Sequence, residues 1–233
     1  MYNVLVCDDD KDIVEAISIY LETAGYGVVK AYDGFQALDK IKSEEIHLVI
    51  IDIMMPNMDG IMATRKIREI SQVPVIFLSA KSEDADKILG LDIGADDYVT
   101  KPFNPLELVA RVKSQIRRYT QLGSITETVS DDDIVIVNGG LEINDSAKSV
   151  TVDGDEVKLT PIEYNILKYL TENRGRVFNT NQIYEAVWDE DAVGSDNIIA
   201  VHIRHIREKI EINPKEPRYL KVVWGQGYKV EKL

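Results

Sequence analysis

The sequence predicts a two-domain α/β protein: an N-terminal doubly wound sheet of five parallel strands, followed by a C-terminal α+β unit. Three observations carry that expectation. In the first half, short runs of β-branched and aromatic residues alternate with stretches whose apolar residues recur at helical spacing, as in a parallel sheet covered on both faces. Between Gln121 and Asp133, "QLGSITETVSDDD" has no sustained period and reads as a linker. Beyond it, strand-like pieces come first and helices follow. The 233 residues therefore divide into a first domain over 1–120, a linker over 121–132 and a second domain over 133–233.

The five strands are read from "YNVLVC", "YGVVKA", "HLVIID", "VPVIFLS" and "DDYVT", and helices begin near Asp10, Gly34, Gly60, Glu83 and Asn104. The last of these helices is the best delimited. In "NPLE", Asn104 supplies the N-cap, Pro105 fits the first helical position and Glu107 stands at N3. Val109, Val112 and Ile116 then form one apolar stripe. In the second half, "IVIVNGG", "LEIND" and "KSVTVDGDEVKLT" read as strands parted by turns. Helical patterns follow around 161–173, 180–189 and 196–211, and "RYLKVVWGQGYKV" reads as two short strands around a glycine-containing turn.

Composition narrows the function. A formal charge of −13, with neither half basic overall, argues against indiscriminate coating of nucleic acid, though a local basic face remains open. The single Cys7, set among apolar residues, reads as a reduced core thiol. No basic-then-apolar leader is seen, and no apolar run approaches the roughly 18 residues of a membrane span, so a cytoplasmic protein is expected. His47 reads as a strand-edge residue.

The chemistry gathers at strand ends, because open parallel sheets place functional groups beyond the carboxyl ends of their strands. The first strand ends in Asp8, Asp9 and Asp10, the third in Asp52, the fourth in Ser79, and the fifth runs into Lys101. Carboxylates from Asp8, Asp9 and Asp52 in one cleft repel one another, a cost that a hard cation such as Mg²⁺ removes. Lys101 adds positive charge and Ser79 a hydroxyl donor. The set suits transfer of a phosphoryl group to an Asp52 oxygen.

In the second half, "SDNIIAVHIRHIREKIEI" places Ile199, Ile203, Ile206 and Ile210 on one helical stripe, with Asn197, Val201, Arg204 and His205 on the other side. That second face suits base edges and phosphates in a major groove. From Arg204 to Lys232 there are eight basic residues, Arg207 among them, against four acidic.

The motifs "VCDDD", "DIMMPNMDG", "LSA" and "DDYVTKPF" resemble those of response-regulator receiver domains, which have a flavodoxin-like fold. "LTPIEYNILKYL", "VHIRHIREKI" and "VVWGQGYKV" resemble the winged helix-turn-helix output domain of OmpR/PhoB-type transcription regulators. "PLELVARVKSQIRRY" and "VHIRHIREK" are similar to the VanR group of vancomycin-resistance regulators.

The resemblance implies that Asp52 is phosphorylated and that Asp8, Asp9, Asp52 and the Met54 carbonyl hold Mg²⁺. Ser79 and Tyr98 become the switch residues and Lys101 the phosphate-pairing lysine. Lys87, Asp92, Asp96, Asp97, Glu107, Arg111 and Arg118 would pair across a two-fold homodimer formed on phosphorylation. Met54 and Lys81 would flank the approach of hydrolytic water. Pro102 resembles a proline preceded by a cis bond, although trans is the default from sequence alone.

For the output domain, the resemblance implies DNA contacts from Asn197, Val201, Arg204, His205 and Arg207, and phosphate contacts from Trp188, His202 and Tyr228. Trp224, Gly225 and Gln226 would form the wing tip. The implied partners are a membrane sensor histidine kinase, promoter DNA with tandem half-sites, and RNA polymerase. The function so implied is a non-enzymatic, activating transcription factor. His205 and Trp224 stand where many relatives carry arginine, which leaves fewer charges for DNA. A constitutive DNA binder is one alternative. A Mg²⁺-dependent aspartate phosphatase is another, and it would need an acid where Met54 stands.

Overall fold

The computed structural model describes residues 1–80, 94–123, 135–188 and 196–233. The helix expected from Glu83, the positions of Lys81, Lys87 and Asp92, and most of the linker lie outside the described residues, as does the side chain of Asn197. The chain divides into two compact units, Met1–Tyr119 and Thr120–Leu233.

In the first unit, β1 (Asn3–Cys7), β2 (Gly27–Ala31), β3 (Leu48–Asp52), β4 (Val75–Ala80) and β5 (Asp97–Lys101) form a parallel sheet in the order β2-β1-β3-β4-β5. Helices α1 (Lys11–Thr23), α2 (Gly34–Ser43), α3 (Gly60–Ile70) and α4 (Pro105–Gly123) alternate with them. β3 is buried along its whole length, which explains its uninterrupted apolar run up to Asp52. Val4, Val6, Ile50, Ile76 and Leu78 from the strands meet Val14, Ile17 and Leu21 of α1 and Leu108, Val112 and Ile116 of α4 in one core. Asn104 accepts the amide of Leu106 at 2.9 Å, as an N-cap should. α4 runs on to Gly123, so the first three residues of the expected linker are helical.

The second unit opens with an antiparallel sheet, β6 (Val135–Asn138), β7 (Leu141–Asn144), β8 (Ser149–Val152) and β9 (Asp155–Glu156). α5 (Pro161–Glu172), α6 (Thr180–Trp188) and α7 (Asp196–Ile210) follow, then the hairpin β10 (Leu220–Val223) and β11 (Gly227–Val230). α5 starts on a capping box in which Thr160 and Glu163 bond reciprocally, with Pro161 at the first position. Among the described residues, no helix is long and apolar enough to cross a membrane.

Candidate functional site

Each residue of the "DDD" run does a different job. Asp8 closes β1 and is buried, Asp9 is exposed, and Asp10 caps α1 by accepting the amides of Asp12 (2.9 Å) and Ile13 (3.4 Å). The parallel register sets the end of β3 beside the ends of β1 and β4. Carboxylate oxygens of Asp8, Asp9 and Asp52 consequently lie within 4.8 Å of one another. Lys101 reaches in from the end of β5, and its Nζ pairs with Asp8 Oδ2 at 2.6 Å and Asp52 Oδ1 at 2.5 Å. Asp52 Oδ2 accepts the Met54 amide at 2.7 Å, while the Met54 side chain stands exposed. Ser79 is buried at the end of β4, and Tyr98 is half-buried on β5.

The loop after Asp52 is shaped around it. Gly60 packs so close that a Cβ there would stand 2.1 Å from the Asp52 carbonyl oxygen, and Asp59 caps α3 through the Met62 amide at 2.7 Å. The "MDG" segment thus returns the chain against Asp52, which only a glycine permits.

Electrostatically the pocket is overloaded among the described residues, with three carboxylates and one ammonium. Burial pushes the Asp52 carboxyl above the usual carboxylate range, against the pull of Lys101. Burial alone would lower the Lys101 pKa, but its bonds to Asp52 and Asp8 raise it, so it stays charged. Behind the pocket, the fully buried Cys7 thiol lies 3.3 Å from the Asp33 carbonyl oxygen. Burial and the surrounding carboxylates push it up to about 12, the inert state expected of a core thiol. Peripheral to it, His47 Nδ1 accepts the Asn3 amide at 3.1 Å, a bond across the strand edge. The Lys101-Pro102 bond is cis.

The described charged residues expected to pair across a dimer lie around β5 and on α4. Asp96 and Asp97 are each 1% exposed and Arg118 is 5% exposed. Asp96 Oδ2 accepts Arg68 Nη2 at 2.6 Å and the Val75 amide at 2.8 Å, while Arg68 also bonds the carbonyls of Gly94 and Val73. Asp97 pairs with Arg111 at 3.0 Å, and Arg111 also pairs with Glu107 at 3.1 Å. Arg118 donates to Ser114 Oγ at 2.7 Å. Asp96, Asp97 and Arg118 are therefore buried and partnered within the chain. Arg68 carried no signal of this role in the sequence.

In the second unit, Ile199, Ile203, Ile206 and Ile210 are buried, as their stripe implied. The opposite face is only partly open. Arg204 is exposed and pairs with Glu208 at 3.2 Å, but Val201, His202 and His205 are buried. His202 leans on the buried Trp188, their rings 5.8 Å apart, and Trp188 stacks on Tyr184 at 4.7 Å. His205 Nδ1 lies 3.9 Å from Glu163 Oε1, whose other oxygen takes Lys209 at 2.5 Å. Trp188, Val201, His202 and His205, expected to meet DNA, are thus buried within the chain. The helix shows its open face at Arg204, and three neighbours turn inward because α5 and α6 supply partners. At the hairpin tip, Trp224, Gly225 and Gln226 are exposed, Trp224 at 88%; Tyr228 is half-buried. Sequence reasoning overlooked Glu163, although "TPIE" carries the capping-box spacing that would have found it.

A doubly wound sheet with this acidic pocket, joined to a helix-and-wing unit, defines a two-domain signalling regulator. Residues 4–113 match the response regulator receiver domain, and residues 154–230 match the C-terminal domain of transcriptional regulatory proteins. The chain is 44% identical to the regulatory protein VanR of Enterococcus faecium and 42% identical to VanRc of Enterococcus gallinarum, each match covering 98% of both chains. The crystal structure of the response regulator DrrB, an OmpR/PhoB homologue of Thermotoga maritima, matches with a TM-score of 0.51 at 33% identity over 99% of both chains. The chain belongs to the OmpR/PhoB-type two-component response regulators.

Proposed function

We propose that a membrane sensor histidine kinase phosphorylates Asp52, that the receiver units then dimerise, and that the paired output domains bind tandem promoter half-sites and recruit RNA polymerase to activate transcription. The observation that carries this reading is the convergence of Asp8, Asp9 and Asp52, with Lys101 bonded to both Asp8 and Asp52.

The residues have separate tasks. Asp52 offers a carboxylate oxygen to the phosphorus as the N–P bond of the kinase's phosphohistidine breaks, and Lys101 pairs with that carboxylate, opposing the upward push of burial on its pKa. The all-oxygen donor set of Asp8, Asp9, Asp52 and the Met54 carbonyl suits Mg²⁺, which when bound neutralises charge on the phosphoryl oxygens. Once phosphate adds acceptor oxygens, the Ser79 hydroxyl gains by donating to them, and Tyr98 turns into the vacated space. Arg111, Glu107 and Arg118, with Lys87 and Asp92, are the groups proposed to re-pair across the dimer; Asp96 and Asp97 would first have to leave Arg68 and Arg111. Arg204 and the Trp224–Gln226 tip are the exposed groups best placed to meet DNA.

The likeness to VanR and VanRc supports cell-wall and glycopeptide-resistance promoters as the first targets to test. The test is a mobility-shift assay on genomic promoter fragments, with and without acetyl phosphate and Mg²⁺, comparing the wild type with Asp52→Ala. Tighter, Mg²⁺-dependent binding that Asp52→Ala abolishes is the expected result. Equal binding under every condition would leave a constitutive DNA binder.

A further inference from the structure

We infer that Arg207 and Glu211 form a clamp that fixes the β10–β11 hairpin against α7, so that both are positioning residues for DNA reading rather than DNA contacts. The inference rests on reading the second unit as a DNA binder. Arg207 and Glu211 stand one turn apart at the C-terminal end of α7, with the Glu211 amide donating to the Arg207 carbonyl at 2.9 Å. Arg207 Nε donates to the Leu220 carbonyl at 2.8 Å. The Glu211 carboxylate, 8% exposed, accepts three successive amides: Arg218 at 2.6 Å, Tyr219 at 2.9 Å and Leu220 at 2.8 Å.

Both polar groups of the Leu220 backbone are thus held from the recognition helix, and Leu220 is the fully buried first residue of β10. Arg207 is poorly placed to meet a phosphate. Its Nη2 is buried with no hydrogen-bond partner among the described residues, and burial lowers its pKa. The other strand is tied elsewhere. Tyr228 exchanges both backbone bonds with Phe178 at 2.9 Å each, and a Cβ on Gly227 would stand 2.0 Å from the Phe178 carbonyl oxygen.

The tip is stiff as well. The Gln226 amide donates to the Val223 carbonyl at 2.9 Å, and Gly225 adopts φ +72°, the left-handed value such a turn needs at that place. Trp224 is therefore carried at the end of a short lever, four residues or roughly 13 Å from the clamp. A tilt of about 10° at Leu220 would move it by roughly 2 Å, well beyond the tolerance of a positioned contact. Helix and wing act as two linked contact elements, and loosening the link forfeits the gain of engaging both together.

The experiment uses the full chain, treated with acetyl phosphate and Mg²⁺, and a duplex that the wild type selects from a random-sequence pool. Glu211→Gln and Arg207→Lys are each expected to lower affinity on the order of 10-fold. Minor-groove hydroxyl-radical protection beside the wing should be lost, while major-groove guanine protection persists. Arg207→Lys retains the charge, so a phosphate-contact role predicts near-normal binding. If Glu211→Gln does not fold, Arg207→Lys carries the test alone. Combined with Trp224→Ala, neither substitution should cost anything further.

Equal loss of both protections, additive losses with Trp224→Ala, or a wild type whose wing protects nothing would overturn the clamp. A wild type that selects no duplex would count against the DNA-binding reading instead. Hydrogen exchange at the amides of Arg218, Tyr219 and Leu220 would still judge the clamp, and unchanged protection in Glu211→Gln would overturn it.

Discussion

Both units bury carboxylates, and they use them in opposite ways. In the first unit, Asp8, Asp9 and Asp52 crowd within 4.8 Å of one another and Lys101 pairs with two of them, so among the described residues negative charge is in excess. In the second, Glu211 is met by three backbone amides, and Glu163 by the Thr160 amide, Lys209 and His205. A buried carboxylate with all its partners at hand is scaffolding, whereas a cluster short of partners is poised to take a cation or a phosphoryl group. The contrast turns on partners and not on burial, since Asp52 and Glu163 are both buried.

The strongest test of the contrast is removal of the acceptor itself. Asp52→Ala is expected to abolish acetyl-phosphate-dependent phosphorylation, read as loss of the shifted band on a phosphate-affinity gel. Lys101→Met should slow it by about two orders of magnitude, the scale of losing one preorganised charge partner. Incorporation at another residue in Asp52→Ala would break the contrast at its first step.

On the scaffolding side, Glu163→Ala strips a box bond and an ion pair whose carboxylate end is buried, and removes the carboxylate beside His205. A loss of about 2–3 kcal/mol in denaturant unfolding of the second unit is expected. Asp9→Asn, in the overloaded pocket, should be neutral or slightly stabilising in EDTA, because it removes repulsion and no bond among the described residues. A destabilisation matching that of Glu163→Ala would show that the two clusters are alike after all.

Metal addition sharpens the same point. At about 100 times its dissociation constant, Mg²⁺ should stabilise the first unit by ~2.7 kcal/mol, reversed by EDTA. The gain should shrink in Asp9→Asn, and the unfolding of the second unit should not respond at all.

The contrast also explains what could be read from the sequence. Strand ends are fixed by topology, so once "VIID" was a buried parallel strand, Asp52 had to meet Asp8 and Lys101 at one edge. Helical faces are not so fixed. The spacing of "NIIAVHIRHIREKI" separates the isoleucine stripe, but whether His202 and His205 face solvent depends on Trp188 and Glu163, which lie elsewhere in the chain. The burial of Asp96 is illegible for the same reason: its partner Arg68 sits 28 residues away. Glu211 bonds amides that carry no side-chain signature, so its role was not legible at all.

The smallest expected effect sets two aspartates against each other by sign. Asp145, in the turn between β7 and β8, meets Lys148 at 2.6 Å, Lys168 at 2.8 Å and Tyr164 Oη at 3.0 Å. Burial alone would raise its pKa, but these partners win and hold it at about 2 against an ordinary 3.8. Its stabilising contribution is therefore complete above pH 3.8 and is lost as pH falls through about 2. Asp52 is displaced the other way: burial raises its pKa, so ionising it costs the fold, and stability falls as pH rises through the raised value. Asp145→Asn should then cost about 1 kcal/mol at neutral pH, the partly exposed site screening the rest, and the cost should vanish toward pH 2. Asp52→Asn, measured without metal, should raise the melting temperature of the first unit at neutral pH and leave it unchanged in strong acid. Parallel pH profiles for the two substitutions would mean that Lys101 satisfies Asp52 as fully as Lys148 and Lys168 satisfy Asp145, and the pocket would then lack the excess charge on which its proposed chemistry depends.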